Sequence, residues 1–234
     1  MLTLVLCTLA ADPDLSAVSA TITERTNAFR NEQNLKPIET NDGDLAEAAR
    51  KFAEYMAHTG EYGHRADGRT PAERAEAAGY DYCSVRENIA YFEKAGGDTV
   101  ADVEAETLVE KFFVGWRESP GHRKNMLAED VTETAVAIAR AENGRFYAVQ
   151  LFGKPASERI AIKVRNESGQ PVQYRFGGKE WTLPPRVIRT HEVCQKSELS
   201  LPGSDAEALD VTEGGTFVVG EGPSLSRQGK GAGG

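Results

Sequence analysis

The spacing of apolar residues changes partway along this chain, and that change limits the folds open to it. Up to Trp116 they recur at helical intervals. Leu45, Ala49, Phe52, Ala53 and Met56 follow the i, i+4, i+7, i+8, i+11 pattern of one buried helix face, and Val109, Phe112, Phe113 and Trp116 follow i, i+3, i+4, i+7. Beyond residue 130 the period shortens. Residues 134–141 and 145–152 read as strands, and Asn143-Gly144 between them is a strong hairpin signal. Helices followed by antiparallel strands predict an α+β fold, with the helices packed on a sheet.

Local chemistry sets the element ends. A first helix is expected over 16–33, with Val18, Ile22, Asn27 and Phe29 as a rough stripe and Asn34 as its stop. The second, 45–60, ends at Gly60. Its His58 falls far from the apolar face and reads as an exposed residue with no role. Thr70-Pro71-Ala72-Glu73 is a capping box with proline at the first helical position, opening a short helix that Gly79 ends. Asp98 or Thr99 is expected to cap a long helix reaching Trp116.

Gly153-Lys154-Pro155 reads as a boundary, after which helix signals vanish. Ile160, Ile162 and Val164 alternate with Ala161, Lys163 and Arg165, and Glu167-Ser168-Gly169 turns the chain into a return strand over 172–176. Further strands are expected over 186–194, 199–201 and 217–219, with His191 half-exposed on the first of them. The expected organisation is a leader over 1–11, a first domain over 16–155, a small β-sandwich-like module over 157–220 and a disordered Gly- and Ser-rich tail over 222–234.

The net charge is 27 − 36 = −9. Phosphate binding needs clustered Lys and Arg, so nucleic acid and anionic membrane surfaces are excluded as main partners. Leu2, Leu4, Val5, Leu6 and Leu9 form an apolar run too short to span a bilayer, so the chain is not expected to be transmembrane. Ending in Thr8-Leu9-Ala10-Ala11, the run reads as a secretory signal without its basic start, which predicts a secreted, periplasmic or extracellular location. Leu6 is bulky for a lipid anchor on Cys7. Two cysteines remain beyond the leader, Cys83 and Cys194, and either one disulfide or two separate buried thiols is compatible with them.

Four short stretches carry the candidate chemistry. They are Gly63-His64 with Asp67-Gly68, Glu87-Asn88-Ile89-Ala90, Ser119 to Asn125 with the sequence Ser-Pro-Gly-His-Arg-Lys-Asn, and Tyr147 to Gly153. Taken singly, a loop histidine is more often solvated than a ligand, and no two of these residues share a helix turn as in a helical zinc motif. Together, His64, Glu87 and His122 are candidates for a divalent metal, zinc or calcium, if their segments converge. Two neutral imidazoles and one carboxylate suit zinc and leave a coordination position for water. A hydrolase also needs a base near that water, and none is evident. Ser119 and His122 lie three residues apart in a turn with no orienting acid, so no catalytic residue is assigned.

These blocks, with Arg74 and Ala77-Ala78-Gly79-Tyr80, Trp116 three residues before Ser119, and the closing Gln150, Phe152 and Gly153, resemble the CAP superfamily (cysteine-rich secretory, antigen 5 and pathogenesis-related 1 proteins) in its bacterial form, over roughly residues 20 to 155. The resemblance implies a three-layer α-β-α sandwich, with a cleft of two histidines and two acids able to bind a divalent cation. His64, Glu87 and His122 match three of those positions, and Ser119 stands where the fourth acid is expected. It also implies sterol or other lipid binding in some members, although no long apolar groove is legible here.

Three functions follow as expectations. One is an exported, non-enzymatic binding module for a metal, a small molecule or a cell-envelope ligand, with the β module serving attachment. The second is a metal-dependent, peptidase-like hydrolase. The third is an adhesive cell-envelope protein with a vestigial cleft. The serine at 119 and the missing base favour the first and third.

Overall fold

The computed structural model describes residues 13–93, 103–222 and 224–228, and the chain divides into two units between Pro155 and Ala156. The expected leader and the cap at Asp98 or Thr99 lie outside the described residues.

The first unit runs α1 (Leu15–Glu32), β1 (Glu39–Thr40), α2 (Asp44–Thr59), α3 (Pro71–Ala77), β2 (Tyr82–Phe92), α4 (Ala105–Val109), a π-helical turn (Glu110–Val114), α5 (Gly115–Glu118), α6 (Pro120–Met126), β3 (Glu133–Arg140) and β4 (Phe146–Pro155). Its sheet has the order β1-β3-β4-β2. β1 lies parallel to β3, while β3 and β2 flank β4 antiparallel. The two-residue period of β4 explains the layering, because successive side chains leave opposite faces. Phe146, Ala148 and Phe152 join Val18, Ile22 and Phe29 of α1 and Leu108, Phe112 and Trp116 of the long helical segment. Tyr147, Val149 and Leu151 join Leu45, Phe52 and Met56 of α2 and Ala75 of α3. Helices therefore cover both faces, in the expected α-β-α sandwich. Buried on both sides, β4 reads as a near-continuous apolar run.

The local signals translate directly. Thr70 accepts from the Glu73 amide at 3.2 Å, and the Glu73 carboxylate accepts from the Thr70 amide at 2.6 Å. Val109, Phe112, Phe113 and Trp116 are all buried. The helix carrying them starts at Ala105, after Glu104, and passes through the π turn, whose extra residue shifts the face by a fraction of a turn. β2 is not legible as a strand in the sequence. Its polar run Arg86-Glu87-Asn88 hides the alternation, yet it pairs with β4 from Tyr82 to Phe92.

The second unit opens with a 3₁₀ turn (Ala156–Glu158). It continues through β5 (Ile160–Asn166), β6 (Val172–Phe176), β7 (Lys179–Leu183), β8 (Ile188–Val193), β9 (Ser197–Leu199), β10 (Leu209–Val211), β11 (Gly215–Gly220) and β12 (Ser224–Arg227). A sheet of order β12-β11-β5-β8 and the ribbons β6–β7 and β9–β10 share a core that includes Val164, Tyr174, Phe176, Leu183 and Phe217. Two expectations are corrected. His191 is buried, not half-exposed, because its ring is enclosed by Tyr174, Phe176 and Trp181 and its Nε2 bonds the Tyr174 hydroxyl. Residues 224–227 are a strand, not part of a disordered tail. They pair with β11, Leu225 packs on the core, and the Arg227 guanidinium lies over Phe217 and bonds Glu213 at 2.8 Å.

Candidate functional site

Loop geometry places the first histidine. α2 ends on Gly60 in the left-handed region, and the next loop needs positive φ again at Gly63 (144°) and Gly68 (79°), on either side of His64 and Asp67. A side chain with a Cβ would be strained at those two positions. Asp67 turns the loop by accepting from the Arg69 amide at 3.1 Å.

The capping box of α3 then aims Arg74 back under this loop. One guanidinium nitrogen donates to Asp67 at 2.8 Å and to the Arg69 carbonyl at 2.9 Å. The other donates to Glu87 Oε2 at 2.6 Å and to the His64 carbonyl at 3.1 Å. Its plane rests on Phe52 of α2, 3.5 Å from the ring centroid. Arg74 and Glu87 form a buried ion pair, with side chains 4% and 1% exposed. Such a pair is tolerable only because nearly every polar atom has a partner, and Arg74 Nε is the exception.

Glu87 Oε1 is 2.8 Å from His64 Nδ1. The carboxylate accepts, so Nδ1 carries a proton and the neutral ring keeps its lone pair on Nε2. The His64 side chain is 52% exposed, so the ring is open to solvent. The hydrogen bond to Glu87 raises its pKa above the usual histidine value, and partial desolvation opposes this.

His122 arrives from the other side of β2. Ser119 is the N-cap of α6 without a side-chain cap bond, Pro120 takes the first helical position, and His122 follows on the same turn. An amide chain pins this helix to the sheet. Asn125 Nδ2 donates to the Glu87 carbonyl and to Asn88 Oδ1, both at 3.0 Å. Asn88 Nδ2 donates to the His122 carbonyl and to Gln150 Oε1, both at 3.3 Å. Gln150 Nε2 donates to Thr26 Oγ1 at 3.0 Å, reaching α1. Asn88, Gln150 and Thr26 are fully buried, so each bond matters to the fold. Burial lowers the His122 pKa first, and the charge on His64 lowers it further.

β2 thus has Arg74 and His64 on one side of its polar run and α6 on the other. Both Glu87 oxygens are engaged, one by His64 and one by Arg74. Among the described residues no group of three His, Cys, Asp and Glu side chains is arranged to hold one metal ion. The remaining donors are His64 Nε2 and the His122 ring, with Glu87 orienting His64 from behind, as outer-shell carboxylates orient ligating imidazoles. The motifs contain Arg74, Asn88, Asn125 and Gln150, yet no role for these residues or for Tyr62 is legible in the sequence. Their purpose lies in partners far along the chain.

The family model for CAP, the cysteine-rich secretory protein family, matches residues 23–152, more than half of the chain. The uncharacterized protein YkwD of Bacillus subtilis is 28% identical over 148 residues, which are 63% of this chain and 51% of that protein. The chain therefore spans about half the length of this curated relative. An outer surface protein of Borrelia burgdorferi superposes with a TM-score of 0.52 at 19% identity, covering 61% of this chain and 96% of that one. An extracellular protein with an SCP domain from Bacillus anthracis gives 0.47 at 23% identity, covering 59% and 41%. Among the described residues no helix is long and apolar enough to cross a membrane.

Proposed function

Because the chain belongs to the CAP family of cysteine-rich secretory proteins, we propose that it is an exported, non-enzymatic binding module. Its cleft between the His64 loop and α6 takes a small ligand, and binds a divalent cation weakly. The second unit serves attachment at the cell envelope. The observation that carries this reading is the chain Asp67–Arg74–Glu87–His64, which spends buried charge on holding one solvent-facing imidazole in one tautomer. The apolar leader supports export.

Two imidazoles without a third protein ligand fit a labile zinc completed by water, short of the three or four protein ligands of catalytic and structural zinc sites. In such a site His64 and His122 would hold the ion, and Glu87 would fix the ring of His64. The ion would supply a polarising charge for a bound ligand.

Zinc titration followed by calorimetry is expected to show one weak site, lost in His64→Ala/His122→Ala with the fold intact. The pH dependence has a definite sign. Ligating histidines must be neutral. His64 holds its proton above the usual range near 6.5, so zinc affinity is expected to go on rising above pH 6.5. Unchanged zinc binding in the double variant contradicts the site. Hydrolysis of casein or an ester, lost in that same variant, moves the reading to a hydrolase.

A further inference from the structure

Two of the most exposed large hydrophobic side chains of the described residues sit together beside this cleft. Tyr62 is 46% exposed and Tyr91 is 47% exposed. Their rings meet edge to face with centroids 5.0 Å apart. Tyr62 lies two residues before His64, and Tyr91 follows Glu87 at even spacing on β2, so it leaves the sheet on the Glu87 face. The pair is fixed in place. The Tyr62 hydroxyl donates to the Ile89 carbonyl at 3.2 Å. Tyr91 has Tyr147 beside it, with centroids 6.2 Å apart, and the Arg145 guanidinium 4.7 Å from its centroid. A rigid, exposed aromatic pair beside a polar cleft sets apolar surface next to hydrogen-bonding groups, the mixture that lines ligand sites.

From this geometry we propose that Tyr62 and Tyr91 form a stacking shelf for an uncharged sugar chain, with the cleft imidazoles bonding its hydroxyl groups. Two guanidiniums beside the shelf are already paired with carboxylates. Arg145 is bonded to Glu93, and Arg74 to Glu87 and Asp67. Those two guanidiniums are therefore already committed and are not free to hold an anionic ligand. A sugar ring offers an apolar C–H face to an aromatic ring and hydroxyl groups to the neighbouring imidazoles, which fits this mixture of surfaces.

An extended peptide is the rival occupant, because β2 is the edge strand of its sheet and edges accept added strands. Two carbonyls of that edge beside the cleft are already taken. Asn125 occupies the Glu87 carbonyl and Tyr62 occupies the Ile89 carbonyl. An added strand would have to displace both, whereas a stacked sugar needs neither.

The proposal names a ligand class for the cleft described above and rests on that reading. The test titrates the full chain with chitohexaose, cellohexaose and maltohexaose at up to millimolar concentration, following backbone amide shifts. At least one hexasaccharide is expected to bind, with the largest shifts at Tyr62 and Tyr91. Two stacked rings contribute enough that Tyr62→Ala/Tyr91→Ala is expected to weaken binding by roughly tenfold or more. Tyr62→Phe/Tyr91→Phe, which keeps both rings, is expected to retain most of it, so loss of the hydroxyl bond alone is not the cause. Absence of binding by all three sugars, binding that survives the alanine pair, or binding of an extended peptide instead overturns the shelf. Failure of the cleft reading looks different: zinc binding vanishes or ignores the histidines while sugar binding still follows the tyrosines.

Discussion

Arg74→Ala is expected to destabilise the first unit by about 3–5 kcal/mol, the range for removing one partner of a buried ion pair. The loss is large because Arg74 serves four acceptors. Without it, the Glu87 carboxylate is left with only His64 beside it, Asp67 keeps only the Arg69 amide, and the His64 and Arg69 carbonyls lose the guanidinium. The guanidinium also covers Phe52, so packing is lost with the charge. Urea unfolding of the first unit measures the effect. Arg74→Lys should recover only part of it, because a single ammonium cannot reproduce the forked contacts. A change under ~1 kcal/mol for Arg74→Ala, typical of an exposed pair, would show that Glu87 is reached by water and that the buried support of His64 is absent.

The second large effect is steric. Gly153 closes the motif at the end of β4, and a Cβ there would lie 2.4 Å from the Tyr80 hydroxyl and 2.7 Å from its ring carbon Cζ. Tyr80 has no free way out. It is buried, and its hydroxyl donates to Glu133 at 2.7 Å. Gly153→Ala is therefore expected to cost about 1–3 kcal/mol, as overpacking of a tight core does. The measurement is again the urea midpoint, together with the pair Gly153→Ala/Tyr80→Ala. With the ring removed, the three atoms closest to the added methyl group are gone, so the double variant should be no less stable than Tyr80→Ala alone. Strict additivity would refute the steric cause.

These two positions show what was legible in the chain and what was not. The apolar faces of α2 and of the helix ending at Trp116 could be read because a packed helix repeats its signal within one turn. The hairpin at Asn143-Gly144 and the capping box at Thr70 are likewise local. Glu87 is different. Its strand has a polar buried stretch, and the partners that make this tolerable lie 13 residues away at Arg74 and 38 at Asn125. Asn88 finds Gln150 across 62 residues, and Gln150 finds Thr26 across 124. No local pattern announces such pairs, so β2 is not legible as a strand although the sequence marks out its residues. His191 misled for the same reason, since the Tyr174 hydroxyl that receives it comes from another strand.

Stability carries the same asymmetry between the two histidines. His64, with its pKa raised by Glu87, adds stability below about pH 6.5 that is lost as pH rises through its higher folded value. His122, with its pKa lowered by burial, favours the neutral ring, so its cost appears as pH falls below about 6.5 towards its lower folded value.

The most direct measurement is a pH titration of the histidine ring signals by NMR in the metal-free protein, with Glu87→Gln alongside. If the two loops and β2 meet as described, His64 titrates above the free-histidine value and His122 below it, and Glu87→Gln brings His64 down towards His122. Two histidines titrating together near 6.5, unmoved by the substitution, would mean that the imidazoles and the buried carboxylate do not share one cleft.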